Sequence, residues 1–175
     1  MINKTLPSLV FAVLLAGCGA TQFESKVPES FQLLPGHTIE FPPIENVTGK
    51  TLDPPADQIF NEYMGNLLRE RKLLNVSPQP ARVILKSKLI EYEAGSAFGR
   101  WLLPGLGTTI CTVEAELLDK QTGALIGRLN SRQTVSFGGA YSIGAENYIC
   151  KRVADDLIAD IDKKVKGEKA AEGTN

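Results

Sequence analysis

Three runs of this chain alternate apolar and polar side chains with a period of two, and no other feature constrains the fold as strongly. Residues 82–92 place Val83, Leu85, Ser87 and Leu89 on one side, and residues 109–118 do the same with Cys111, Val113, Ala115 and Leu117. Residues 124–137 return as a third run. Side chains of a strand point alternately to opposite faces, so each run reads as a strand with one buried face. Asp119-Lys120-Gln121-Thr122-Gly123 reads as the hairpin connection between the last two. Glu114 and Glu116 fall on the opposite side from the apolar residues and point to solvent or a neighbour.

A sheet that is apolar on one face has to be covered, and two segments have the period to do so. Ile59, Phe60, Tyr63, Met64, Leu67 and Leu68 recur at helical spacing in a helix ending near Lys72. Asp53 is its expected N-cap, with Pro54 and Pro55 in the first turn. Ile149, Cys150, Val153, Leu157 and Ile161 form a second stripe between Ala145 and about Val165. Residues 37–44 read as a strand whose end Pro42 and Pro43 demote to an edge or bulge, and residues 73–77 as a short one. The expected order is β-α-(β)-β-β-β-α. This is an α+β domain: a largely antiparallel sheet with two main helices packed on one face.

The first residues follow another logic. Lys4 supplies a positive charge, Leu6 to Ala16 are apolar apart from Pro7 and Ser8, and small residues follow at Ala16 and Gly17. That layout is a secretory signal, too short to span a bilayer. Leu15-Ala16-Gly17-Cys18 resembles, at every position, the lipobox of bacterial lipoproteins. The resemblance implies cleavage of residues 1–17 and attachment of diacylglycerol, with a further acyl chain such as palmitate, to Cys18. Several chains together hold a protein stably on a membrane, whereas one does so only marginally. In enteric-type lipoproteins an Asp after the cysteine causes inner-membrane retention. Gly19 stands there instead, which implies an outer-membrane, periplasm-facing protein. Residues 18–36 are polar and aperiodic, with Pro28 and Pro35, and are expected to form a lipidated tether. Residues 37–166 then form the single domain and 167–175 a frayed tail.

A formal net charge of −1 without any basic run excludes a nucleic-acid partner. No catalytic constellation is legible: His37 is the sole histidine, and no Gly-x-Ser-x-Gly, P-loop ending or metal-ligand spacing occurs. The expectation is therefore a non-enzyme with no metal, no small-molecule substrate and no cofactor beyond the covalent lipid on Cys18. A hydrolase built on His37 is the remote alternative. With Cys18 modified, Cys111 and Cys150 remain. In an exported protein they form either a disulfide or two buried free thiols.

Residues 94–108 are glycine-punctuated and read as a loop, yet they hold Phe98, Trp101, Leu102, Leu103 and Leu106 around Arg100. Such a loop either folds its apolar groups back over the sheet edge or offers them to a partner, another copy of the chain, or the bilayer. A second glycine-rich stretch, 138–144, carries Tyr141 and is expected nearby.

The run Gly105-Leu106-Gly107, the strand ending Leu117-Leu118-Asp119, Thr122-Gly123, and the glycine loop before a last amphipathic helix resemble a bacterial lipoprotein family known as a domain of unknown function. Residues 39–46 with Thr48-Gly49 are similar to the opening of TolB-N-terminal-like envelope proteins, a group that includes the curli secretion and Pel export lipoproteins. The likeness spans residues 37–165. It implies an α+β fold and, as in several of those proteins, a ring at the outer membrane, although no pore-forming amphipathic hairpin is evident here. The leading expectation is an anchored scaffold for envelope assembly or export that acts by self-association or by binding a protein partner. The other is a regulatory module that activates a periplasmic enzyme such as a cell-wall synthase.

Overall fold

The computed structural model describes residues 20–76, 80–103, 106–136 and 143–166. In chain order its elements are β1 (Ala20–Ser25), β2 (Ile39–Glu40), β3 (Glu45–Asn46), α1 (Ala56–Glu70), β4 (Val83–Glu93), α2 (Ala97–Leu102), β5 (Thr109–Asp119), β6 (Leu125–Val135) and α3 (Ala145–Lys166). The sheet runs β1-β6-β5-β4-β2, with β3 also on β4. Strands β4, β5 and β6 form an antiparallel meander, β1 is antiparallel to β6, and only the two-residue β2 and β3 run parallel to β4. This is the α+β architecture the alternation predicts.

The alternation decides which face is covered. Val83, Leu85, Leu89, Val113, Ala115, Leu117 and Leu129 face inward, into one core with Phe60, Met64 and Leu68 of α1 and Ile149, Val153, Leu157 and Ile161 of α3. A bulge after Leu89 shifts the phase of β4, so that Tyr92 is buried and Glu91 is not. Glu91 stays on the open face, where Thr112 and Arg132 donate to it. On that face Lys86 lies opposite Glu116 and Lys88 opposite Glu114, while Arg128 pairs with Glu116 at 2.9 Å. Opposite charges across a strand pair are favourable, so the face stays open and polar.

Several boundaries differ from the sequence expectation. The 37–44 strand shrinks to β2, and β3 takes up the pairing past Pro42 and Pro43, which have no N–H to donate. Among the described residues of the 73–77 segment, only Leu74 pairs, as a bridge to Ile39. Asp53 does not cap α1, which starts after Pro55 without a side-chain cap. Residues 94–108, read as loop, contain α2.

The largest correction concerns the tether. Residues 20–25 are not free of the domain: they form edge strand β1, with Ala20 opposite Thr134 and Ser25 opposite Leu129. The chain then crosses β6 and follows α3, burying Val27 and Leu33. Ser25 Oγ donates to Asp160 Oδ2 at 2.9 Å, and Leu33 N–H donates to the Lys164 carbonyl at 3.2 Å. Every β1 side chain is exposed, so no hydrophobic alternation announces the strand. It is held by backbone pairing and by groups more than a hundred residues away.

The crossing depends on Gly127. A Cβ there would lie 2.6 Å from Val27 Cα and 2.8 Å from the Lys26 carbonyl oxygen, both backbone atoms that cannot rotate away. Gly127→Ala is therefore expected to lift the N-terminal segment off β6 and cost about 1–3 kcal/mol. Urea unfolding should show the loss, and limited proteolysis should cut first near residues 20–33; a variant as stable and as resistant as the parent would contradict the close crossing.

Candidate interaction site

The connection between β4 and β5 crosses one end of the sheet, and it is built inside out. At its neck Ser96 N–H donates to the Gly107 carbonyl at 2.9 Å. Gly95 and Gly107 have φ of 70° and 73°, and a Cβ on either would fall within 2.7 Å of backbone across the neck. Only glycine combines that conformation with so close an approach. Ser96 caps α2, its Oγ accepting from Gly99 N–H at 3.2 Å. Beneath the helix Arg100 is 1% exposed, and its guanidinium donates to the Gly107 carbonyl at 2.7 Å and to Thr109 Oγ1 at 2.6 Å. Thr109 Oγ1 in turn donates to the Ala94 carbonyl. Burial pulls the guanidinium below the usual arginine range, and the Glu146 carboxylate opposes that shift.

With the cation inside, the apolar residues are outside. Phe98 and Trp101 are 69% and 67% exposed, their rings 5.9 Å apart and tilted 32°. Leu102, Leu103 and Leu106 are each at least half exposed, and Ile143, just before α3, is 74% exposed. The alternative in which these groups fold back over the sheet edge is thus not what the structure adopts. Of the residues singled out in the sequence, Phe98, Trp101, Leu102, Leu103 and Leu106 come together on this surface. Arg100 does not: it is the strut that holds the surface up. Tyr141 and Cys18 lie outside the described residues.

Ser96 and Thr109, the contact of the loop glycines across the neck, and the exposure of Ile143 were not legible from sequence. The paired glycines flanking a Ser cap were the available signal, since a capped turn between two glycines implies a close backbone crossing.

Behind this end, Cys111 and Cys150 are fully buried free thiols that face each other between β5 and α3. The neighbouring Cys150 thiol and burial together hold the Cys111 thiol well above its usual range. The Cys150 thiol donates weakly to the Glu146 carbonyl. Tyr92 stands opposite Cys111, and its buried hydroxyl has no partner among the described residues. His37 sits elsewhere, its Nδ1 accepting Leu34 N–H in a surface turn. Among the described residues no three His, Cys, Asp or Glu side chains converge as metal ligands, and no helix is long and apolar enough to cross a membrane.

Fold and site together define a two-layer α+β domain that carries an exposed apolar platform at one end of its sheet. Residues 53–139 match the model of a family described as a domain of unknown function, DUF4410. No curated protein sequence matches the chain. Among solved structures it is similar to the PelC dodecamer from Paraburkholderia phytofirmans, at 21% identity and a TM-score of 0.52 over 79% of this chain and 96% of that one. It is also similar to the hypothetical protein CT253 from Chlamydia trachomatis, at 12% identity and 0.52 over 73% and 97%. A DUF330 protein from Xanthomonas campestris, XCC0632, is 10% identical with 0.50 over 81% and 90%. At these identities the shared property is the fold.

The two kinds of residue on α2 should separate in a stability experiment. Arg100→Ala leaves the Gly107 carbonyl and Thr109 hydroxyl without their charged donor and is expected to cost about 2 kcal/mol in urea unfolding. Trp101→Ala removes an exposed ring and should stay within about 0.5 kcal/mol of the parent. Equal losses for both would mean that the platform is packed rather than presented.

Proposed function

We propose that this chain is a lipid-anchored envelope protein of the DUF4410 family, processed before Cys18, which assists envelope assembly or export from the outer membrane without catalysing a reaction. One observation carries the reading: the lipobox Leu15-Ala16-Gly17-Cys18 stands a single residue, Gly19, ahead of the point where β1 enters the sheet. Anchor and body are therefore contiguous, and a lipid on Cys18 would fix the domain against the bilayer with almost no slack. Gly19 in place of Asp supports the outer membrane.

Self-association belongs to the same proposal. PelC, whose fold this chain resembles, forms dodecamers. Cyclic assembly turns every copy the same way up, so a ring of anchored copies would bring all its N-termini to one plane. Such a ring could scaffold an export route while each domain remains non-catalytic.

The anchor is tested by mass spectrometry of protein extracted from membranes. The expected N-terminal peptide begins at Cys18 and carries diacylglycerol; an unmodified peptide, or one beginning elsewhere, would remove the reading. Light scattering on the detergent-solubilised protein is expected to show a multiple of the chain mass, and a strict monomer would sink the ring.

The exported location also bears on Cys111 and Cys150. We infer that the two thiols become a disulfide there, each losing one proton and one electron to the thiol oxidants of that compartment. In the chain-entropy model the bridge would add about 3–4 kcal/mol, since it closes a long loop. Protein from the periplasmic side, denatured without reductant, should show no thiol reactive to alkylation. Full labelling at both positions would instead establish two buried free thiols.

A further inference from the structure

We propose that the apolar surface at this end of the domain, with Trp101 on it, is seated in the interfacial layer of the bilayer that holds Cys18, so that the domain stands end-on to the membrane. The proposal rests on the reading of Cys18 as the lipid anchor and goes beyond it by assigning an orientation and a second, non-covalent contact.

Three segments meet at this end. Ala20 pairs with Thr134, Thr134 with Ile110, and Ile110 with Glu93, so the start of β1, the end of β6, the start of β5 and the end of β4 lie side by side. Residues 18–23 contain no charged side chain, residues 133–145 contain none, and residues 94–113 contain only Arg100, which is buried. At the opposite end the pattern reverses. Arg82 pairs there with Asp119, Lys120 with Glu40 and Arg71 with Asp162. The two ends thus differ: ion pairs close the far one, whereas at this one the Lys50–Glu93 and Arg132–Glu91 pairs lie beside the apolar surface and the connection itself exposes no charge.

The anchor leaves from the end that carries the apolar surface. Two residues of chain span at most about 7 Å, so Cys18 lies close to Ala20 and to this end of the sheet. A lipid held in the bilayer at that point brings Phe98, Trp101, Leu102, Leu103, Leu106 and Ile143 to the headgroup level without any rearrangement. Tryptophan favours that layer because its ring takes the apolar side while its N–H meets the polar one. Charged groups are costly there, and the connection that forms the tip, residues 94–108, has Arg100 as its one charged residue, buried beneath α2. The glycine neck and the Arg100 strut keep the platform pre-formed, so little ordering would be required on insertion.

Trp101 is the sole tryptophan, so its emission reports the tip alone. The lipidated full-length protein would be reconstituted into phosphatidylethanolamine/phosphatidylglycerol vesicles, with part of the lipid brominated near the glycerol end of its chains. Expected are a blue-shifted Trp101 emission and a loss of intensity that grows with the bromolipid fraction. Leu103→Asp should reverse both effects, while lipid on Cys18 and flotation with the vesicles persist. Protein that floats and carries lipid but keeps a water-exposed, unquenched Trp101 would overturn the proposal and leave the anchor standing. A blue shift without quenching would also overturn it, assigning the tip to a second copy of the chain. Protein that neither floats nor carries lipid would remove the anchor reading, and the proposal with it.

Discussion

The inward face of the sheet is not uniformly apolar, and the polar exceptions set where α3 can lie. Ser131 and Gln133, buried on β6, both donate to Asp156 of α3 at 2.6 Å, and Gln133 accepts from Thr21 of β1 at 2.8 Å. One helical turn further on, Asp160 accepts from Ser25. Apolar contacts alone tolerate sliding, because they have no direction; a buried polar group without its partner is costly. These bonds therefore fix the axial register of α3. Through that register they place Cys150 against Cys111, and they hold the N-terminal strand to a helix near the other end of the chain.

Once α3 is fixed, the asymmetry between the two ends of the sheet follows. The far end is closed by ion pairs and by the Asp119 hairpin, where the Asp119 carboxylate also accepts Gln121 and Thr122 N–H. Bonding to Arg82 and to those amides holds that carboxyl near a pKa of about 2. The near end has ion pairs too, Lys50–Glu93 and Arg132–Glu91, but they involve β4 and not the loop that follows it. Its loop is instead stabilised from within, by a buried guanidinium and glycine-only backbone crossings, and this releases the apolar side chains to the outside. An internal cation under an apolar surface inverts the usual arrangement of a surface loop. It is also what makes the platform a built feature instead of a poorly folded one.

Legibility in the sequence varied with the source of each element's stability. Strands β4, β5 and β6 and helices α1 and α3 each bury one face of their own, so their periodicity was visible and their extents fall within a few residues of expectation. Strand β1 buries none of its side chains, and its sequence Ala-Thr-Gln-Phe-Glu-Ser reads as linker; its reason to exist is the open edge of β6. Helix α2 is too short for periodicity, and its glycines suggested loop. Arg100 was grouped with its exposed neighbours because a sequence does not say which side of a single helical turn will face the protein.

The sequence by itself determined the α+β class, the covered face of the sheet and the pair of inward cysteines, and it carries the resemblance to a lipobox at Cys18, because each rests on local spacing. Only the tertiary structure decided that the segment after Cys18 is a strand and not a tether, that Arg100 is internal while Trp101 is not, and that both occur at the same end of the sheet. Those facts depend on strand register and on polar groups distant in the chain, and register is a property of pairs of segments that no single segment encodes.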